Sequence, residues 1–176
     1  RPNRGAEVRI IGLDELMDTF QVIASLDSLA GELAAERASE IEIARIAELH
    51  DGMLRCYEQG ELLDYFKHNQ AIHRQIIACA RNPVLERQLQ GLNAQVRPYR
   101  FNVNSEPESW RRSIQDHEAI LAALRARDGK RLAAILRNHL PDKFDVLARL
   151  ELFRPRRRRR PATSAAALPA AAEQDN

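Results

Sequence analysis

Apolar residues recur at helical spacing from Leu13 to about residue 150, in six segments separated by short breaks. Within each segment they fall three or four residues apart, which places them on one face of a helix. The pattern predicts helices over residues 13–37, 39–58, 61–81, 84–103, 106–127 and 130–150. Because short connections make consecutive helices antiparallel, we expect an all-α, antiparallel bundle of about six helices.

Residues that begin and end helices stand at these breaks. Ser39 precedes the second segment with Glu42 three residues further on, a spacing typical of a capping box. Gly60 is suited to ending that helix, and Asn82 followed by proline is suited to ending the next one. Pro141 lies inside the last segment, where it is expected to kink or split the helix.

The two ends of the chain differ from this bundle. Residues 1–12 contain Pro, Asn and Gly before a short alternating stretch, which predicts a loop and a strand fragment. Residues 151–176 are rich in Arg, Ala and Pro and offer no apolar face, so we expect a disordered tail. The predicted organisation is therefore 1–12, a helical domain over 13–150, and a tail over 151–176.

Charge is unevenly distributed between the bundle and the tail. The 176 residues include 27 Lys and Arg and 25 Asp and Glu, a net charge of +2. The tail holds six arginines and three acidic residues, so residues 1–150 carry a net charge of −1. This balance excludes a basic nucleic-acid-binding bundle. The run Arg156–Arg160 is either a solubilising segment or a non-specific phosphate contact.

Cysteine content and hydropathy restrict the class further. Cys56 and Cys79 are too few for a disulfide framework and lie among apolar helical residues, which predicts reduced, buried thiols in a cytoplasmic protein. No apolar run approaches the ~18 residues of a membrane span, and no signal segment opens the chain. We therefore expect no membrane partner.

Three histidines and one asparagine share helix faces with apolar residues. Asn69 and His73 lie four residues apart on the third segment, His117 lies on the fifth and His139 on the sixth. Buried imidazoles need partners for both ring nitrogens, so two interpretations remain open: a shared divalent transition metal, or separately hydrogen-bonded core histidines. Two other histidines lie outside this set. We interpret His50 as structural, and we expect His68 to be exposed to solvent.

Three stretches resemble the effector-binding domain of GntR-type bacterial transcription regulators of the FadR subfamily. Residues 69–83 resemble the family pattern (D/N)xxFHxxIxxAsgNP, and residues 113–128 resemble SxxEHxxIxxAixxxD. Residues 133–140 resemble the closing AxxxxxxHl, and residues 26–38 resemble the opening LExxAAxLAAxRA. The resemblance covers residues 10–150, and the order and spacing of the pieces make it specific.

The resemblance implies a ligand-sensing, dimerising domain that is not an enzyme. It makes Asn69, His73, His117 and His139 the ligands of a divalent metal, with zinc expected and nickel or manganese as alternatives. It implies a small carboxylate effector near the metal, held by an arginine of the fourth helix, for which Arg100 and then Arg97 are the candidates.

The resemblance also implies a separate DNA-binding domain and a particular subtype of the effector-binding domain. A winged helix-turn-helix would precede the bundle, with residues 1–5 as the end of its wing, so operator DNA would be bound only through that missing domain. Six helices indicate the shorter, VanR-like variety. Three positions depart from the family. Asn69 replaces a common aspartate, Ile23 replaces a common arginine of the first helix, and Pro141 lies two residues after His139, where it is expected to affect the direction of that ligand.

Two other functions compete with this one. A helical metallohydrolase needs a general base, but Asn69 cannot accept a proton, and Asp116 and Glu118 lie off the helix stripe of His117. A metal-free interaction module predicts ordinary core histidines and a stability that does not respond to a chelator.

Overall fold

The structure is a computed structural model that describes residues 12–104 and 107–139. Six helices and no strand occur in this part of the chain, which confirms the predicted all-α fold. The helices are α1 Leu13–Arg37, α2 Glu40–Gln59, α3 Leu62–Cys79, α4 Pro83–Asn104, α5 Pro107–Arg125 and α6 Gly129–His139. The predictions for residues 1–11, for Pro141 and for the tail fall outside the described residues.

The predicted helix boundaries agree with the structure because the residues at the breaks cap the helix ends. The capping box of α2 is complete: the backbone N–H of Ser39 donates to Glu42 Oε2 at 2.9 Å, and the Ser39 hydroxyl accepts from the Glu42 backbone at 3.3 Å. Gly60 ends α2 with a φ of 73°, a left-handed conformation that glycine adopts without strain. The Asn82 side chain accepts from the backbone N–H of Leu85 at 3.1 Å and so begins α4.

Helix α1 occupies the centre of the bundle, since it contacts α3, α4, α5 and α6. Its contact with α6 is close: a Cβ added at Gly31 would lie 2.6 Å from Leu136 Cδ1 and 3.1 Å from Leu132 Cγ. Arg127, in the turn before α6, donates to the backbone oxygens of Ala35 and Ala38 at the end of α1. These contacts hold α6 alongside α1.

Two apolar clusters form the core. One is built from the end of α1 with α2, α3, α5 and α6, and the other from the first part of α1 with α3 and α4. Helix α3 contributes to both, through Ile72 and Ile76 in the first cluster and Ile77 in the second. His73 lies among these residues. None of the described helices is both long and apolar enough to cross a bilayer.

Candidate metal centre and anion cavity

Three histidines from three helices meet inside the bundle. His73 of α3, His117 of α5 and His139 of α6 are all buried, and their ring centroids lie 5.1–5.2 Å apart. One ring nitrogen from each lies within 4.8 Å of those of the other two. Within the described ranges, these residues are the one group of three or more His, Cys, Asp or Glu placed to share a metal ion. The inward orientation predicted from helical periodicity is therefore confirmed.

Asn69 lies beside this cluster and contacts it. Its side chain is 1% exposed, and Nδ2 donates to Nε2 of His117 at 3.0 Å. Gln70 donates to Asn69 Oδ1 at 3.3 Å, so the amide oxygen is turned toward the next side chain. A 180° rotation of the amide exchanges these two atoms, and it would bring an oxygen, which can bind a metal ion, to the histidines.

A carboxylate holds the third histidine. Nδ1 of His139 donates to Asp116 Oδ2 at 2.8 Å. The His139 side chain is 2% exposed and that of Asp116 is 25% exposed, so the hydrogen bond reaches from the cluster toward the surface. The sequence predicts that Asp116 lies off the apolar stripe of His117, and the structure agrees. The Asp116 side chain instead contacts the neighbouring helix α6.

A cavity of about 290 Å³ opens beside the cluster, between α3 and α4. His73 is part of its wall, so the histidine cluster borders the cavity directly. Four cationic side chains line it, and among the described residues of its wall none is acidic. The four are Lys67, Arg74, Arg97 and Arg100.

Arg100 is the buried cation among these four, with 6% of its surface exposed. Its guanidinium donates to Oδ1 of Asn93, which lies seven residues earlier on α4, at 2.5 Å. Arg97 is exposed and lines the same cavity. Both predicted arginines therefore share a cavity with His73, and Pro98 between them does not interrupt α4.

Asp27 of α1 supplies a buried negative charge to Arg100. Asp27 is also 6% exposed. Burial raises the pKa of Asp27 from 3.8 to about 6, and the attraction of Arg100 opposes that increase. Burial likewise lowers the pKa of Arg100, opposed by Asp27. The sequence contains no local pattern that links these residues, since they belong to different helices and lie 73 positions apart.

The remaining histidines and the cysteines lie outside the cluster. His50 is buried, and burial lowers its pKa, as for a structural histidine. The prediction that His68 is solvated is wrong: its ring is half-buried against Gly52, where no side chain obstructs it. Cys56 and Cys79 are buried and not disulfide-bonded, as predicted, and burial raises the pKa of both thiols.

This helical bundle matches a known family of domains. The model of the FCD domain family matches residues 18–142, which is well over half of the chain. The chain therefore belongs to the FCD family, the effector-binding domain of GntR-type transcription regulators, and is not an enzyme.

A related transcriptional regulator agrees with this assignment, and two solved structures have a similar fold. The chain is 27% identical over 154 residues to the Nta operon transcriptional regulator of Aminobacter aminovorans, covering 86% of this chain and 70% of that protein. The fold is similar to that of Escherichia coli McbR/YncC, with a TM-score of 0.72, 20% identity and coverage of 79% and 70% of the two chains. It is also similar to Lar, described as controlling expression of the Listeria monocytogenes agr system, with a TM-score of 0.68, 17% identity and coverage of 81% and 67%.

Proposed function

We propose that this domain binds one divalent metal ion and a small carboxylate effector in adjoining sites, and that effector binding modulates a DNA-binding domain of the same regulator. The observation that carries the proposal is the meeting of three buried histidines from three helices beside a cavity lined by cations. Burying three imidazoles together is costly unless they share a partner, and a transition metal is such a partner.

The residues present fit a metal ion of the zinc type. His73, His117 and His139 would supply three nitrogen ligands, and Asn69 would supply an oxygen after its amide rotates. This set is neutral, so a bound ion keeps its full double charge and acts as a Lewis acid toward an anionic ligand. Zinc suits the histidines best, with nickel or manganese as alternatives.

The wall of the cavity supports an anionic effector. A volume of about 290 Å³ suits a small organic acid. Arg100 presents a buried guanidinium, which binds a carboxylate through two parallel hydrogen bonds, and Arg97 adds a second cation at the more exposed side. A carboxylate between His73 and Arg100 would contact the metal and the arginine together.

Asp27 links the cavity to helix α1, because it interacts with the cavity residue Arg100. Its charge is compensated by Arg100 across the contact between α1 and α4. An effector carboxylate on Arg100 would replace Asp27 as the partner of that cation and so change the contact between α1 and α4. In the proposed regulator, a cytoplasmic homodimer, α1 follows the DNA-binding domain, so a shift of α1 would couple the two sites.

The metal site is tested by titrating metal-free protein with zinc in a competition assay with a chromophoric chelator. We expect one zinc ion per chain in the wild type and none in the double variant His73→Ala, His117→Ala. The matched control is His50→Gln, which changes a buried histidine outside the cluster and is expected to bind zinc like the wild type. Unchanged binding by the double variant would contradict the proposal and favour a metal-free bundle.

The effector site is tested by thermal-shift screening of small organic acids on zinc-loaded protein. We expect at least one carboxylate to raise the melting temperature, and Arg100→Gln to abolish that shift. Arg87→Gln is the matched control, because Arg87 is an exposed arginine of α4 that does not line the cavity. Equal shifts in both variants would place the carboxylate elsewhere.

A further inference from the structure

Asp116 is the carboxylate that contacts the histidine cluster from outside it. The Nδ1–H of His139 donates to Asp116 Oδ2 at 2.8 Å, a distance typical of a charge-assisted hydrogen bond. Neighbouring residues of a helix point about 100° apart. As a result, His117 enters the cluster while Asp116, one position earlier on α5, reaches across to α6.

We propose that Asp116 is a positioning residue of the metal centre: it holds His139 in the tautomer that carries its proton on Nδ1 and its lone pair on Nε2. A metal ion bound by His139 would then use Nε2. The inference rests on the proposed metal site, and it goes beyond the four ligands because Asp116 touches a ligand and not the ion.

The burial of His139 explains why such an anchor matters. Its ring is 2% exposed, and a buried imidazole needs a partner for each of its ring nitrogens. Asp116 accepts from Nδ1 and so joins His139 of α6 to α5 by a hydrogen bond.

Charge gives Asp116 a second effect on the metal. Asn69 and the three histidines form a neutral ligand set, so the ion receives no negative charge from the residues that touch it. A carboxylate bonded to the far nitrogen of a histidine raises the basicity of that ligand, and removing such a partner costs metal affinity about 10–100-fold. Asp116 therefore compensates in part for the asparagine at position 69.

The experiment compares the wild type with Asp116→Ala and Asp116→Asn, using zinc as the probe. We expect Asp116→Ala to bind zinc 10–100-fold more weakly than the wild type. We expect Asp116→Asn to fall between them, because its amide oxygen still accepts from Nδ1–H but carries no charge. Glu118→Ala is the matched control, since it removes an exposed carboxylate two positions further along α5 and is expected to leave zinc affinity unchanged.

A second readout does not depend on metal. Nitrogen-15 NMR of the histidine side chains in metal-free protein reports which ring nitrogen carries the proton, with the His139 signals assigned from a His139→Gln sample. We expect the Nδ1–H tautomer in the wild type and in Asp116→Asn, and a shift toward Nε2–H in Asp116→Ala. A simple packing role for Asp116 would leave the tautomer unchanged, and circular dichroism verifies that each variant is folded.

The outcomes separate this inference from the proposed function. Zinc binding by the wild type, with equal affinity and an unchanged tautomer in Asp116→Ala, overturns the role of Asp116 alone. A wild type that binds no zinc overturns the proposed metal site and this inference with it.

Discussion

Replacing Asp27 by asparagine should make the protein more stable at neutral pH, although the substitution removes the negative charge beside a buried arginine. Burial raises the pKa of Asp27 from 3.8 to about 6 even after the attraction of Arg100 is included. The ionised carboxylate is therefore less favourable in the folded state than in the unfolded chain. Asparagine resembles the protonated carboxyl and does not bear this cost.

The magnitude follows from linkage between protonation and folding. A raised carboxyl pKa means that the folded state binds more protons than the unfolded chain between pH 3.8 and about 6, so stability falls as pH rises through that window. At 1.36 kcal/mol per pKa unit, the cost at pH 7.5 is about 3 kcal/mol. By the same relation it is roughly half as large at pH 5.

The assay is urea unfolding of chelator-treated protein, monitored by circular dichroism at pH 7.5 and pH 5. We expect Asp27→Asn to exceed the wild type in free energy of unfolding by about 3 kcal/mol at pH 7.5 and by about half of that at pH 5. The titration of the buried histidines is common to both proteins and cancels in the difference. Asp18→Asn is the control, because it changes an exposed carboxylate of the same helix and should leave the free energy of unfolding close to that of the wild type.

A loss of stability in Asp27→Asn would mean that the Asp27 charge stabilises the fold. If Asp27 and Arg100 behave as a net stabilising buried ion pair, removing one partner leaves a buried charge without compensation and costs about 3–5 kcal/mol. A variant that is less stable than the wild type at pH 7.5 would therefore show that burial of the ionised Asp27 carries no net cost.

Three further substitutions test the metal site and the packing of α6. Asn69→Asp should bind zinc at least tenfold more tightly, because a carboxylate adds a negative ligand to a neutral set; equal zinc affinity in a competition titration would exclude residue 69 as a ligand. Gly31→Ala should lower the free energy of unfolding by about 1–2 kcal/mol, since its Cβ would lie 2.6 Å from Leu136 in the closely packed contact with α6. Gly52→Ala should cost less in the same urea assay, although its Cβ would lie 2.5 Å from His68 Cε1, because the His68 ring ends a partly exposed side chain that can shift and because alanine favours the helix. Equal losses from the two glycine variants would show that the α1–α6 contact is not especially tight.

The elements of the fold were predictable because their signals are local. The capping box at Ser39, the left-handed Gly60 and the apolar spacing of each helix depend on residues a few positions apart, so the sequence predicts them directly. The inward direction of His73, His117 and His139 follows from the same periodicity, since a residue on an apolar stripe faces the bundle.

The contacts that complete the site were not predictable in this way. Each of these contacts joins two different helices. They are the hydrogen bond from His139 to Asp116, the attraction between Asp27 and Arg100, and the packing of the His68 ring against Gly52. Periodicity gives the direction of a side chain on its own helix but not the rotation of the neighbouring helix. It therefore assigned Asp116 no role and expected His68 to face solvent.

X-ray absorption spectroscopy of zinc-loaded protein tests whether three histidines from three helices bind one metal ion. We expect scattering from three imidazoles with Zn–N distances of about 2.0–2.1 Å, the remaining ligands being oxygen. A sulfur scatterer at about 2.3 Å would indicate Cys56 or Cys79, and one imidazole or none would indicate a site elsewhere on the chain. Either result would contradict a metal site formed by His73, His117 and His139.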